Sequence, residues 1–234
     1  MAYLDPRRYP LWKHRLLEGI AEPGVAAAVA TSVARIQSAS AGDADVASRF
    51  ATDAIFHAIR LEPYLLATAA RHPRLAAPLY ALARRTAQTR RALVHGDVSP
   101  KNILLGPKGP VFLDAECAWY GDPAFDAAFC LNHMLLKCMA RPASSDDYLA
   151  CFDAFAHTYL AGVTWEPRGA IESRIASLLP ALLLARIDGK SPVEYIRHDH
   201  DRQRVRDAAC PMIERAPQRV ADVAAGWRRI MASP

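Results

Sequence analysis

Asp97 stands in the run His95-Gly96-Asp97-Val98-Ser99-Pro100-Lys101-Asn102, and Asp114-Ala115-Glu116 follows twelve residues after the asparagine. A carboxylate, then an amide, then a carboxylate pair are the groups that phosphoryl transfer from a magnesium nucleotide requires, in that order. In such chemistry Asp97 accepts or orients the proton of an attacking hydroxyl. Asn102 is the amide ligand of the metal and Asp114 its main carboxylate. Glu116 shares a side with Asp114 if the chain stays extended, within reach of a second metal or a bound water. The alternative is a polar hairpin with ordinary turn residues, and the joint spacing argues against it.

These side chains need strands and turns to bring them together. Leu93-Val94 reads as a short strand entering the His95 loop, Ile103-Leu104-Leu105 as a second and Val111-Phe112-Leu113 as a third. Gly106-Pro107-Lys108-Gly109 is the turn of a hairpin, with Asn102 opening one strand and Asp114 closing the other at the same end. Residues 1–22 are irregular, punctuated by Pro6 and Pro10. Helices are expected over 25–36, 47–59, 63–70 and from Pro73 to about Arg90. After Asp122-Pro123, a cap followed by Pro at the first helical position, they are expected over 124–139, 146–161, 168–188, 199–209 and 218–231. The reading is an α+β, mostly helical, single domain over 1–234. Its catalytic and metal loops lie in 91–117 and a helical substrate-binding part in 123–231.

The 234 residues are 52% hydrophobic and 23% charged, which suits a globular chain with one substantial core. The formal charge of +5 comes mainly from Arg, spread along helical stretches rather than clustered with aromatics. That pattern argues against a nucleic-acid partner, while a mild positive field suits an anionic substrate such as a nucleotide. The apolar run Leu178-Leu179-Pro180-Ala181-Leu182-Leu183-Leu184-Ala185 is too short to span a bilayer, and the N-terminus has no secretory apolar core, so no membrane partner is expected. Five cysteines without C-x-x-C spacing read as reduced, buried thiols in a cytoplasmic setting. His57 and His133 read as core-flanking. His198-Asp199-His200-Asp201 reads as a solvated helix start, because adjacent residues on a helix point in different directions.

At His95-Gly96-Asp97, Asn102 and Asp114-Ala115-Glu116 the sequence resembles the aminoglycoside phosphotransferase and choline kinase-like family of small-molecule kinases. That family's catalytic loop is His-Gly-Asp with Asn five residues after the Asp, and its metal motif is Asp-x-Glu or Asp-x-Asp after the next hairpin. Gly121-Asp122-Pro123-Ala124-Phe125-Asp126 resembles the family's Gly-Asp-Pro-x-x-Asp segment. The likeness continues weakly through Asp188-Gly189-Lys190-Ser191-Pro192-Val193-Glu194-Tyr195, so it covers roughly residues 1–200.

The resemblance implies a protein-kinase-like C-terminal lobe, ATP as phosphoryl donor, Mg2+, and a small-molecule hydroxyl acceptor (aminoglycoside, amino alcohol or sugar). The acceptor would bind between the catalytic loop and the helices after residue 122. It implies that Asp126 is a buried acid bonded to the catalytic-loop backbone and that His95 packs behind the loop rather than serving as base. Ser99 and Lys101 are the loop's candidates for nucleotide contact, with Lys101 either on a phosphate or in solvent. Trp119 and Tyr120 either line the acceptor pocket or pack under the metal loop. Tyr3 and Leu4 resemble the hinge whose backbone contacts adenine. No Gly-rich phosphate loop and no strand lysine precede residue 95, so the N-terminal lobe is expected to be missing from this chain through truncation, location on a separate polypeptide, or loss. The face it would cover favours self-association. Two rival readings stay open. One is a catalytically silent kinase-lobe binding or regulatory module. The other is a metal-dependent hydrolase using His95, Asp97 and Asp114, which lacks a second histidine-rich ligand segment.

Overall fold

A computed structural model describes residues 4–232. Helices α1 (Trp12–Leu17), α2 (Pro23–Ser40), α3 (Ala44–Arg49) and α4 (Asp53–Phe56) come first. A π-helical stretch, His57–Leu66, then runs into α5 (Ala67–Arg71), and a 3-10 turn leads into α6 (Ala76–Gln88). Four short strands follow: β1 (Ala92–Val94), β2 (Ile103–Gly106), β3 (Gly109–Phe112) and β4 (Trp119–Gly121). The rest is helical: α7 (Ala124–Ala140), α8 (Ser145–Gly162), α9 (Arg168–Asp188), α10 (Asp199–Glu214) and α11 (Val220–Ala232). The fold is therefore α+β and mostly helical. No described helix is long and apolar enough to cross a membrane.

Helix α7 is buried at every position from Ala124 to Met139, as its nearly uninterrupted apolar sequence dictates. It packs between α8 and α9, and α2 closes over α8. One hydrophobic cluster runs from Trp12 of α1 to Trp227 of α11. Four cysteines are buried, Cys210 is half-buried, and all five are free thiols.

The small sheets sit at the N-terminal end of α7. The expected hairpin forms, with Ile103 opposite Phe112 and Gly106 opposite Gly109, which leaves Pro107-Lys108 as the turn. Three details differ from the sequence reading. Asn102 closes a 3-10 turn (Pro100–Asn102) just before β2 instead of opening the strand. Trp119–Gly121 forms a strand, pairing antiparallel with β1 so that Leu93 faces Tyr120. The helix expected over 47–59 breaks at 50–52, whereas 53–71 runs on through the π stretch, where a gap was expected. The lead-in chain is stitched to the hairpin by a bridge between Leu11 and Leu104 and by the Leu105 N–H, which donates to the Pro10 carbonyl at 2.9 Å.

Candidate active site

Strand β1 delivers His95 to a tight turn at Gly96, where φ is +80°. A Cβ on Gly96 would lie 2.8 Å from Cys117 Sγ and 3.0 Å from the Cys117 carbonyl oxygen, so both the conformation and the space require glycine. Asp126, in the first turn of α7 and 1% exposed, accepts the His95 N–H at 2.9 Å and the Gly96 N–H at 2.8 Å. Gln37 of α2 donates Nε2 to the same carboxylate at 3.2 Å, and its Oε1 accepts the Tyr159 hydroxyl of α8 at 2.6 Å. Burial pushes the Asp126 carboxyl up from its ordinary range, against the pull of the His95 ring and of these donors. The turn is thus anchored to α7, and through Gln37 and Tyr159 to α2 and α8. His95 is half-buried; its Nδ1 accepts the Asp97 N–H at 3.2 Å, and its Nε2 is buried without a partner.

Asp97, 3% exposed, is held by three groups. Ser99 donates its hydroxyl to Oδ1 at 2.8 Å, while Arg60 Nη2 lies 2.9 Å and Lys101 Nζ 3.0 Å from Oδ2. Ser99 is wholly buried with its hydroxyl committed to Asp97, which corrects its reading as a nucleotide contact: it supports the carboxylate instead. Lys101 is half exposed, so its ammonium bridges Asp97 and open space.

Sequence reasoning missed Arg60. It arises in the π-helical stretch, which also contains Pro63. Proline has no N–H to give the Ile59 carbonyl, its partner in a regular α-helix, and that carbonyl instead accepts Arg60 Nη1 at 2.7 Å. Arg60 Nε donates to the Gly96 carbonyl oxygen. A proline inside a helical pattern, three residues after an arginine, was the available signal.

The Leu113 N–H donates to the Asn102 carbonyl at 2.8 Å, which brings Asn102 beside Asp114 across the open end of the hairpin. The Asn102 side-chain amide donates to the Asp97 carbonyl at 3.3 Å, leaving its oxygen unengaged among the described residues. Asp114 adopts φ +64°, the only described non-glycine residue in the left-handed region, a conformation that asparagine and aspartate tolerate best. Asp114 and Glu116 are both exposed, and neither carboxylate has a hydrogen bond or ion pair within the described chain. The Asn102 amide oxygen and the unengaged Asp114 carboxylate are hard-oxygen donors of the kind Mg2+ prefers, so these residue types fit that ion, whereas Glu116 follows the left-handed Asp114 in a turn rather than on a continued strand. The described residues contain no cluster of three or more His, Cys, Asp or Glu side chains able to hold a metal.

Trp119 and Tyr120 lie inside, packed as one of their two readings had it rather than lining a pocket. Trp119 is 1% exposed and stacks on Phe56 at 4.2 Å. The Tyr120 hydroxyl donates to the Arg91 carbonyl at 2.9 Å and accepts the Gly42 N–H at 2.8 Å. Pairing of β4 with β1 turns both into the core. Tyr3 lies outside the described residues. Leu4 lines an open groove of about 610 Å³ shared with Tyr9, Leu11 and Leu104. His57 is exposed, His133 is buried on α7, and His198 to His200 are exposed at the start of α10. A smaller cavity of about 30 Å³ opens between Pro100-Lys101 and the α7 and α9 side chains His133, Lys137 and Arg186.

A family model described as "Phosphotransferase enzyme family" matches residues 17–144, a span that includes residues 95–102, 114–116 and Asp126. The match is shorter than the 1–200 over which the resemblance was expected. No curated protein matches the chain.

Proposed function

The chain belongs to the phosphotransferase enzyme family, and on that premise we propose that it moves the γ-phosphoryl group of ATP to a hydroxyl of a small molecule. The described residues serve as the C-terminal, substrate-binding lobe. The observation that carries this reading is Asp97, a buried carboxylate fixed by Ser99, Arg60 and Lys101 beside the unengaged oxygens of Asn102, Asp114 and Glu116. Those last three would hold Mg2+. Bound there, the ion supplies positive charge against the phosphates. The groove at Leu4 mixes apolar Leu11 and Leu104 with Arg7, His14, Arg15 and Glu18, and its apolar part offers a face to a nucleobase.

The chain's own groups then do the following. Asp97 orients the acceptor hydroxyl and takes its proton. The acceptor oxygen bonds to the γ-phosphorus as the bond to the bridging oxygen breaks, and ADP leaves with that electron pair. Such transition states are loose, so a well-placed carboxylate matters more than a strong base. Asp126 and Gly96 fix the turn from which Asp97 projects.

Replacing Asp97 with Asn tests the assignment. Transfer should fall by roughly 10²- to 10⁴-fold while calorimetric binding of the magnesium nucleotide is kept. Unchanged turnover would remove Asp97 from its role. A wild-type protein that binds no magnesium nucleotide would favour a catalytically silent module.

A further inference from the structure

The cavity beside the catalytic loop holds more positive charge than its own carboxylates answer. At its rim Lys13 pairs with Glu194 at 2.5 Å, and Lys101 pairs with Asp97 at 3.0 Å, so those charges are matched. Two cations remain. Lys137 is 1% exposed and has no hydrogen bond or carboxylate partner among the described residues; its ammonium has only the face of Tyr195, 4.4 Å from the ring centroid. Arg186 spends Nη1 on the Tyr64 hydroxyl and the Ser191 carbonyl, and its Nε is buried without a partner. One turn before Lys137 on α7, His133 also leaves Nε2 buried and unpartnered, with Nδ1 3.4 Å from the Tyr195 hydroxyl.

A buried ammonium is costly unless an anion or acceptor completes it. Burial, together with Lys13 and Arg186 and against the pull of Glu194, pushes Lys137 down to about 8. The same cations help hold buried His133 well below its ordinary value. Among the described residues Lys137 is answered only by the Tyr195 ring and by the pull of Glu194, a carboxylate already paired with Lys13.

We infer that the cavity receives an anionic group of the phosphoryl acceptor, a carboxylate or phosphate carried by the alcohol that is phosphorylated. This rests on the transferase reading above and narrows its substrate class away from aminoglycosides and amino alcohols, whose ammonium groups Lys137 and Arg186 would repel. The cavity, about 30 Å³, has room for a small anionic group of a few heavy atoms. Lys101 both lines the cavity and touches Asp97, so an acceptor seated by its anion extends its hydroxyl toward the Asp97 carboxylate.

Titration calorimetry without nucleotide provides the test, using glycerate, glycerol 3-phosphate, glycerol and ethanolamine. Glycerate or glycerol 3-phosphate should bind at pH 7, and which of them binds separates a carboxylate from a phosphate site. Glycerol and ethanolamine should show no heat. Lys137→Met should weaken the bound anion by roughly tenfold or more, as expected for a lost charged hydrogen bond. In the unmodified protein the affinity should fall as the pH is raised from 7 to 10, and this fall should vanish in Lys137→Met. Glycerol or ethanolamine binding as well as the anions, or an unaltered affinity in Lys137→Met, would overturn the inference. A transfer assay with magnesium ATP separates the two levels. Phosphorylation of glycerol but not of the bound anion overturns the acceptor assignment. Anion binding with no turnover on any alcohol overturns the transferase reading on which it rests.

Discussion

Arg60 decides how firmly Asp97 is held, because its guanidinium reaches the Asp97 carboxylate and the Gly96 carbonyl together. Arg60→Ala should lower kcat by roughly ten- to a hundredfold and stability by about 1–3 kcal/mol, the range for a buried charged hydrogen bond. KM for the nucleotide should not move, since Arg60 touches no proposed nucleotide contact; a change confined to KM would contradict a positioning role. Arg60→Lys should restore part of kcat, because an ammonium can reach Asp97 but lacks the planar fork that serves the carbonyl as well. At this scale the sequence was informative where spacing carried the information. Asp97, Asn102 and Asp114 stood out because three oxygen-bearing side chains recur at offsets that a hairpin brings together. Arg60 did not, since one arginine among many gives no sign of its direction, and Ser99 looked free because its bond to Asp97 depends on a turn only coordinates reveal.

Among the elements, the Gly96 turn carries the most consequence, because it sets the direction of Asp97. Gly96→Ala combines a left-handed φ of +80° with a Cβ 2.8 Å from Cys117 Sγ. It should cost about 1–3 kcal/mol and reduce turnover together with stability, measured by thermal unfolding and by transfer in parallel. Full activity at unchanged Tm would show that the loop accommodates a side chain there. The β2–β3 hairpin was legible because apolar runs flank Gly106-Pro107-Lys108-Gly109. Strand β4 was not, because three residues carry no period, and their pairing with β1 is what buries Trp119 and Tyr120. The π-helical stretch was hidden for a related reason. A pattern read at 3.6 residues per turn breaks where the backbone widens around Pro63, so one continuous helical rod over 53–71 was taken for two pieces.

For the molecule as a whole, the buried cation on α7 links stability to pH. In the fold Lys137 is held near 8, against 10.5 for an ordinary lysine. Between these values the unfolded chain binds more protons than the folded one, so this residue makes stability rise with pH across 8 to 10.5; below 8 its penalty is full and constant. Lys137→Met should therefore raise stability at pH 7 by roughly 3 kcal/mol, and its advantage over the unmodified protein should shrink to nothing by about pH 10.5. Thermal unfolding across that range checks it, and an advantage independent of pH would exclude Lys137 as the titrating group. The fold class followed from composition and from the long helical patterns after residue 122, but the way distant segments meet did not. Leu11 bridges to Leu104, the Leu16 carbonyl accepts the Tyr148 hydroxyl, and Lys13 pairs with Glu194. Every one of these partners is made long after residues 11–17 have left the ribosome. The first helix therefore takes its place against the hairpin, α8 and the chain beyond α9, all of them synthesised after it. Contacts between segments so far apart in sequence carry a larger loop-closure cost than local ones. The rim of the cation-lined cavity, to which Lys13 belongs, is thus assembled from segments far apart in the sequence.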